Sequence, residues 1–233
     1  MSDAIQKPLQ VSRMSEEVLA AIARMGVVPV VTVERIESAL PLADALIEGG
    51  LPIAEITFRT TTAGAVIERL CRERPALLVG AGTVLSVENV RAAKQSGARF
   101  GVAPGLNPEV VAEAARIGLP FVPGVATASE IERALLLGCR MLKLFPAALL
   151  GGPALVSVLT GPFGHTGVKF MPSGGVTAEN LAAYLALPAV AAVGGTWIAS
   201  KESLAAGDWT TIRARCREAR EIVARVRNCP PRS

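Results

Sequence analysis

Short runs of apolar and β-branched residues recur along the chain a little more than twenty residues apart. Helix signals lie between successive runs, so each interval has the length of one strand followed by one helix. The eight runs are Val27–Val31, Ile53–Phe58, Leu77–Val79, Arg99–Val102, Phe121–Val122, Met141–Phe145, Val168–Met171 and Val190–Val193. Eight such units predict an α/β fold, a (β/α)8 TIM barrel. A doubly wound open sheet would give the same alternation, but the count of eight and the absence of a GxGxxG loop favour the barrel.

The segments outside these units extend the predicted barrel at both ends, so that residues 1–233 form a single domain. Residues 1–14 are aperiodic and predict a loose lead-in, after which Ser15 caps an extra N-terminal helix. A C-terminal helix is predicted over residues 208–228, with Asp208 as its cap.

Helix punctuation also marks the intervals between the strands. Asn107 stands before Pro108 in the order expected at a helix start, and Thr127 and Glu130 have capping-box spacing. Pro41 falls inside the helical pattern that follows the first strand. That helix is therefore predicted either to kink at Pro41 or to begin later than its pattern suggests.

The composition indicates a globular protein and argues against several classes. Hydrophobic residues make up 51% of the 233 residues, yet no apolar run reaches the roughly 18 residues of a membrane span. The N-terminus lacks a signal-peptide pattern, so a cytoplasmic location is expected. Much of the net charge of +4 comes from arginines of the C-terminal helix, and aromatic residues are only 4%. A solvated helix face explains this charge better than nucleic-acid binding does.

The cysteines and the single histidine carry no recognisable chemistry. Cys71, Cys139, Cys216 and Cys229 show no CxxC spacing, and we interpret them as reduced structural thiols. His165 lies in a Gly-His-Thr-Gly turn. This context argues against a Ser-His-Asp relay and against a histidine-ligated metal.

One lysine stands inside an apolar strand, and it is the first candidate for chemistry. Lys143 lies in the middle of the sixth run, between Gly138 and Pro146. Burial disfavours the charged form of an amine, which is how a protein makes a lysine nucleophilic near neutral pH. The alternative is that Lys143 extends to water or pairs with a carboxylate. Lys169 stands three residues before Pro172, as Lys143 does before Pro146, so spacing alone does not choose between the two lysines.

The second and third strands supply further polar candidates at the end where barrel active sites lie. Alternation places Glu55, Thr57 and Arg59 on one face of the second strand. Charged groups inside a closed core are costly unless they pair or act, so an inward Glu55 indicates function, the alternative being a structural ion pair with Arg59. Thr83 follows Gly80-Ala81-Gly82 and leaves a hydroxyl at the same end of the barrel.

Glycine pairs follow the last two strands, and they indicate a phosphate site. Ser173 precedes Gly174 and Gly175, and Thr196 follows Gly194 and Gly195. Paired glycines free backbone N–H groups to converge on an anion, and barrels commonly bind phosphate after these two strands. Together with Lys143, Glu55 and Arg59, this pattern suits Schiff-base chemistry on a phosphorylated keto acid. Ordinary glycine turns are the alternative.

These residues resemble the class I 2-keto-3-deoxy-6-phosphogluconate (KDPG) aldolases, which are often also 4-hydroxy-2-oxoglutarate (KHG) aldolases. The resemblance covers nearly the whole chain and rests on motifs in a fixed order. They are Glu55-Ile56-Thr57-Phe58-Arg59-Thr60, Gly80-Ala81-Gly82-Thr83-Val84, Pro104-Gly105-Leu106, Pro123-Gly124-Val125-Ala126-Thr127, Lys143-Leu144-Phe145-Pro146-Ala147, Pro172-Ser173-Gly174-Gly175 and Gly194-Gly195-Thr196-Trp197.

The resemblance implies a role for each candidate. Lys143, rather than Lys169, forms the imine with the substrate ketone, and Glu55 is the general acid and base. The remaining residues implied are Arg59 and Thr83 for the carboxylate, Pro104 and Phe145 for the pocket, and Ser173, Gly174, Gly175, Gly195 and Thr196 for the phosphate. It further implies a small phosphorylated keto acid as substrate, a homotrimer, and no metal or organic cofactor, because the protonated imine is itself the electron sink.

The implied reaction is cleavage of KDPG to pyruvate and glyceraldehyde 3-phosphate, with cleavage of KHG to pyruvate and glyoxylate as a possible second activity. Three positions depart from the family pattern, since Ala103, Ala148 and Thr196 stand where relatives often have a hydroxyl residue, Glu and Ser. The first two bear on substrate preference. The alternatives are a galactonate-type aldolase of the same fold, which usually lacks the Gly-Gly-Ser/Thr-Trp ending, and a barrel that binds a sugar phosphate without cleaving it.

Overall fold

The computed structural model describes residues 13–228, so the predicted lead-in up to residue 12 and Cys229 lie outside the described residues. Within this range the strands are β1 Val27–Val31, β2 Ile53–Thr57, β3 Leu78–Gly82, β4 Phe100–Val102, β5 Phe121–Val122, β6 Gly124–Val125, β7 Met141–Leu144, β8 Lys169–Pro172 and β9 Val193–Gly195. The α-helices are α1 Arg13–Met25, α2 Ala39–Glu48, α3 Ala63–Glu73, α4 Val87–Gln95, α5 Pro108–Arg116, α6 Ala128–Leu136, α7 Gly152–Phe163, α8 Ala178–Leu185, α9 Lys201–Ala206 and α10 Trp209–Asn228.

All the strand pairs are parallel, and every predicted apolar run contributes to them. The strands form a six-stranded sheet in the order β5-β4-β3-β2-β1-β9 and a three-stranded sheet in the order β6-β7-β8. Isolated bridges join Phe170 to Val190 and Ser173 to Gly194, beside β8 and β9. The chain therefore has an α/β fold with a parallel, curled sheet.

The uninterrupted eight-stranded ladder predicted from the sequence does not form in the described residues. The fifth apolar run forms β5, and Pro123 separates it from a further short strand, β6, that the sequence pattern did not predict. Proline has no N–H to donate to a ladder, which is the physical reason for a break at this position. The second break lies between β8 and β9, where isolated bridges replace a continuous ladder.

Most of the predicted helix boundaries are confirmed. The Asn107 side chain accepts a hydrogen bond from the Glu109 N–H, and Thr127 and Glu130 form a complete capping box. Asp208 Oδ1 accepts from the Thr211 N–H 3.0 Å away, as its predicted cap role requires. Where a polar side chain can satisfy the first free N–H groups, the sequence marks the helix start directly.

One helix start differs from the prediction, and another decides between two predicted alternatives. The N-terminal helix begins at Arg13, so the prediction that Ser15 caps it is wrong, because Ser15 lies inside the first turn. The helix after β1 begins later than its pattern, as one of the two alternatives required: a 3-10 turn at Ile36–Ser38 precedes α2, which places Pro41 in the first turn. There the missing N–H of proline breaks no helical hydrogen bond.

The arginines of α10 do more than form a solvated face, which corrects the sequence interpretation. Arg220 Nη1 donates to the Met25 carbonyl at 2.8 Å, and Arg227 Nη2 donates to the Ala191 carbonyl at 2.6 Å. Arg213 pairs with Glu48 of α2 at 2.7 Å. These contacts attach α10 to the ends of α1, α2 and the strand region before β9.

The described cysteines are free thiols, as the sequence indicated. Cys216 is buried against Gly49, where an added Cβ would stand 2.4 Å from the Cys216 Cβ. Burial raises the pKa of the Cys139 thiol to about 11 and that of Cys216 to about 12. Thiols that stay protonated at neutral pH are poor nucleophiles and poor metal ligands, which fits a packing role.

Candidate active site

Glu55 and Lys143 face each other across the interior of the curled sheet. Glu55 is the third residue of β2 and is fully buried, while Lys143 is the third residue of β7 and is 6% exposed. Lys143 Nζ lies 3.4 Å from Glu55 Oε1. We call the side of the sheet that carries this pair the interior face. A buried ammonium and a buried carboxylate offset part of each other's desolvation cost, so each depends on its partner.

The carboxylate of Glu55 fits only because β3 carries glycine beside it. A Cβ added at Gly82 would lie 2.3 Å from Glu55 Oε1, so any side chain there would displace the carboxylate. Glu55 Oε2 is buried and has no hydrogen-bond partner among the described residues. A carboxylate oxygen carries two acceptor lone pairs, so Oε2 is available to a proton-bearing group of a substrate or a water molecule.

The two candidate lysines differ sharply in environment. Lys169 is exposed at the first position of β8, and its Nζ donates to the Pro188 carbonyl at 3.0 Å. Lys143 pairs in register with Gly124 on one side and Met171 on the other, and its Nζ lies 5.6 Å from the centre of the Phe145 ring. Of the two, only Lys143 meets the requirement for a desolvated amine inside the fold.

Arg59 and Thr83 meet at the C-terminal ends of β2 and β3. Arg59 Nε donates to Thr83 Oγ1 at 3.2 Å, and Arg59 is exposed while Thr83 is half-buried. Thr83 has φ of 55°, in the left-handed region that a β-branched residue rarely adopts. Holding it there costs about 1–3 kcal/mol, and such strain concentrates at functional sites. Among the described residues no other partner takes the remaining N–H donors of this guanidinium, and they could bind both oxygens of a carboxylate.

Pro104 borders the same interior. A Cβ added at Gly124 would lie 2.1 Å from the Pro104 carbonyl carbon, so the segment containing Pro104 crosses directly over the glycine that pairs with Lys143. Ala103, one of the departures from the family pattern, is 4% exposed. Pro104, which follows β4, and Phe145, which directly follows β7, therefore flank the lysine.

The predicted phosphate residues lie in two loop segments that a backbone bridge joins. Gly174 and Gly175 have φ of 87° and 81°, and Gly175 is exposed three residues before α8. Left-handed φ values are accessible to glycine at little cost, so these positions favour glycine. Ser173 forms the bridge with Gly194 and is only 3% exposed.

The second of these segments is fixed by a tryptophan. A Cβ added at Gly195 would collide with the Trp197 ring, with its closest atom 1.6 Å away. Gly195 is buried and Thr196 is exposed. The exposed members of the predicted set, Gly175 and Thr196, are therefore the ones directly accessible to a ligand, whereas Ser173 lies deeper.

Sequence reasoning missed the glycines that make room for the site, and it also missed a hydroxyl pair. Gly82 and Gly124 were noted only as parts of motifs, although each is needed for a close approach. Thr32 Oγ1 lies 2.8 Å from Thr57 Oγ1, and Thr57 is fully buried. Strand alternation placed Thr57 beside Glu55, but only the register of β1 against β2 could have identified its partner.

Other cavities lie away from this centre. One of about 350 Å³ is bordered by Leu19, Leu119 and Cys139, and another of about 560 Å³ is bordered by Ala23, Lys169 and others. Both adjoin α1 and the N-terminal ends of the strands, and neither is lined by Lys143 or Glu55. In parallel α/β sheets of this kind, chemistry is found at the opposite end.

A buried lysine beside a buried carboxylate inside a parallel sheet is suited to form imines with carbonyl substrates. The family model for the KDPG and KHG aldolases matches residues 18–215. The chain belongs to this family.

Relatives resemble this chain along nearly their whole length. The 2-dehydro-3-deoxy-phosphogluconate aldolase of Treponema pallidum is 48% identical over 88% of this chain and 97% of its own length. The KDPG aldolase of Legionella pneumophila, solved with pyruvate captured at low pH as a covalent carbinolamine intermediate, is 37% identical, with a TM-score of 0.83 over 89% of this chain and 98% of that one. The Zymomonas mobilis enzyme, solved with 3-phosphoglycerate, is 33% identical, with a TM-score of 0.80 over 91% of this chain and 97% of that one.

Among the described residues, no helix is both long enough and apolar enough to cross a membrane.

Proposed function

We propose that this chain is a class I aldolase, a lyase that cleaves KDPG to pyruvate and glyceraldehyde 3-phosphate through a Schiff base. The observation that carries the proposal is the buried contact of 3.4 Å between Lys143 Nζ and Glu55 Oε1. Family membership supports it, since the relatives compared above are named for this substrate. The same chemistry applied to KHG would release pyruvate and glyoxylate.

Imine formation is assigned to Lys143. Its neutral amine attacks the C2 ketone, the resulting carbinolamine loses water, and a protonated imine links C2 to Nζ. The covalent carbinolamine of pyruvate in the Legionella enzyme supports this step. Glu55, in contact with Nζ, is suited to move protons between the amine, the carbinolamine hydroxyl and water.

Cleavage of the carbon chain is assigned to Glu55 together with the imine. Glu55 takes the proton of the C4 hydroxyl, the C3–C4 bond breaks, and its electrons enter the imine to give an enamine, as glyceraldehyde 3-phosphate leaves. Protonation at C3 and hydrolysis then release pyruvate and regenerate the Lys143 amine. The unpartnered Oε2 of Glu55 supports this role, because it has capacity to accept the hydroxyl proton. The mechanism uses no metal or organic cofactor, since the imine is the electron sink.

Substrate binding is assigned to the two ends of the ligand. Arg59 and Thr83 would hold the carboxylate beside the imine, with Pro104 and Phe145 as walls, and the free donors of Arg59 support this assignment. Ser173, Gly174, Gly175, Gly195 and Thr196 would hold the phosphate. The left-handed glycines before α8 and the 3-phosphoglycerate found with the Zymomonas enzyme support the second assignment.

The proposal extends to the architecture around the site. The two sheets would form one closed (β/α)8 barrel in a single domain of residues 1–233, an arrangement supported by the bridges beside β8 and β9 and by the single residue between β5 and β6. A cytoplasmic location is part of the proposal. The homotrimer rests on the resemblance, and sedimentation equilibrium would test it.

Cleavage of KDPG, followed by pyruvate detection, tests the function. Wild-type protein and Lys169→Ala should turn over at comparable rates, whereas Lys143→Ala should lose nearly all turnover. Equal turnover in wild type and Lys143→Ala would contradict the proposal. Binding of KDPG without cleavage by the wild-type protein would instead identify a barrel that only binds a sugar phosphate.

A further inference from the structure

Thr32 and Thr57 form a hydroxyl pair that no step of the proposed mechanism uses. Their Oγ1 atoms lie 2.8 Å apart. Val30 pairs with Glu55 and Val31 with Ile56, so continuing the parallel register places Thr32 beside Thr57 at the C-terminal ends of β1 and β2. This is the end of the sheet where Arg59 and Thr83 also lie.

The hydroxyl pair lies on the interior face. Side chains alternate along a strand, so Thr57 shares the face of Glu55, and Thr32 shares the face of Val30, which pairs with Glu55. Thr57 is completely buried and Thr32 is half-buried. Thr57 therefore holds its partner from below, while Thr32 is the member open to a ligand.

The pair retains unused hydrogen-bonding capacity. Two hydroxyls carry two hydrogens and four acceptor lone pairs, and one hydrogen bond between them uses one of each. Within residues 13–228, no other hydrogen bond is formed by either side chain. A hydroxyl that is fixed by one partner and free to donate or accept with another is suited to recognise a hydroxyl of a ligand.

The position of β1 indicates which ligand atom would meet Thr32. One edge of β1 pairs with β2, which carries Glu55, and the other edge pairs with β9, where Pro29 stands beside Gly195. Under the proposed function, C4 of the substrate lies at Glu55 and the C6 phosphate lies at the glycine segments. The C5 hydroxyl lies between them in the substrate, as β1 lies between β2 and β9 in the sheet.

We propose that Thr32, fixed by Thr57, recognises the C5 hydroxyl of the phosphorylated substrate. The inference rests on the proposed function and deepens it, because it names a residue that distinguishes substrates. A hydroxylated, phosphorylated acceptor aldehyde gains this contact, whereas an acceptor without the hydroxyl leaves the Thr32 hydrogen-bonding capacity unused. KHG has a carboxylate at C5 and no hydroxyl there, so it also forgoes the contact.

The test runs the reaction in the direction of condensation, with pyruvate and either of two aldehydes. D-Glyceraldehyde 3-phosphate supplies the C5 hydroxyl, and 3-phosphooxypropanal is the same acceptor without it. Thr32→Val removes the hydroxyl at constant shape, and the ratio of kcat/KM for the two acceptors should fall by about 3- to 10-fold, the worth of one hydrogen bond. Thr32→Ser keeps a hydroxyl and should retain most of the wild-type ratio.

A matched control residue lies at the same end of the sheet. Thr62 Oγ1 donates to the Val33 carbonyl at 3.0 Å and takes no part in the hydroxyl pair, so Thr62→Val should keep the wild-type ratio. Melting temperatures would show that each variant folds. An equal loss of kcat/KM with both acceptors in Thr32→Val would overturn the inference and leave the aldolase function intact. Failure of the wild-type protein to condense pyruvate with either aldehyde would overturn both.

Discussion

Lys143 Nζ lies 3.4 Å from Glu55 Oε1, although the two residues are 88 positions apart and belong to β7 and β2. Both side chains are almost completely removed from solvent. Such a pair is costly to bury, and removing one member leaves the other charge without compensation. The contact is therefore better explained by chemistry than by stability, and changing either residue should impair catalysis.

Replacing Glu55 by Gln should separate proton transfer from imine formation. Gln keeps the shape and can accept a hydrogen bond, but it cannot take the C4 proton, so kcat for KDPG cleavage should fall by about 10²- to 10⁴-fold. Lys143 should still react slowly with pyruvate in this variant. Steady-state kinetics and mass spectrometry after reduction would measure both effects. A kcat within threefold of wild type would contradict the role given to Glu55.

Gly82→Ala should displace the Glu55 carboxylate, because the added Cβ would lie 2.3 Å from Oε1 in the present geometry. A misplacement of about 1 Å can cost about a hundredfold in rate, and we expect a loss of that order in kcat. Gly105→Ala is the matched control at the same end of the sheet, since an added Cβ there meets no atom within 4 Å. If both variants turned over alike, Gly82 would have no part in positioning Glu55.

Arg59→Lys should raise KM for KDPG about tenfold while changing kcat less. Lysine keeps the charge but loses the planar fork that can bind a carboxylate while also donating to Thr83. Arg72→Lys, on the exposed face of α3, serves as the control. An unchanged KM in Arg59→Lys would place the carboxylate elsewhere.

Acid should weaken a structural ion-pair cluster between α4 and α5. The guanidinium of Arg116, followed by that of Arg91, holds the pKa of Glu113 at about 2, below its ordinary value of 4.5. A depressed pKa stabilises the fold above pH 4.5, and this contribution disappears as the pH falls from 4.5 to about 2. The stability difference between wild type and Glu113→Gln should shrink over that interval, as measured by urea unfolding. Glu109→Gln, an exposed change on the same helix, should show no such trend.

The strand pattern was readable because buried strands require apolar residues wherever the sheet is covered on both sides. Each of the eight predicted runs contributes to strand pairing, and the capping residues at Asn107 and Thr127 mark helix starts by their chemistry. Pro123 was visible in the sequence. A proline interrupts a strand ladder, however, only where its backbone N–H would have donated a hydrogen bond to a neighbouring strand. That requirement is set by the neighbouring strands.

The sequence named candidate site residues, but it could not give their geometry. Strand alternation placed Glu55 on one face with Thr57 and Arg59, and the apolar run made Lys143 a candidate buried lysine, whereas their 3.4 Å contact depends on how the sheet curls. The choice against Lys169 came from resemblance, and the physical difference, exposure at the start of β8 rather than burial within β7, appears only in three dimensions. Thr32 was missed because its neighbours in sequence give no sign of the hydroxyl across the strand.

Reductive trapping with pyruvate would show whether Lys143 forms the imine. The full chain is saturated with pyruvate, treated with sodium borohydride and digested, and the peptide masses are measured by mass spectrometry. We expect a reduced pyruvate adduct on Lys143, none on Lys169, and none in Lys143→Ala. An unmodified Lys143 in folded, pyruvate-saturated protein, or an adduct on Lys169, would contradict imine formation at Lys143.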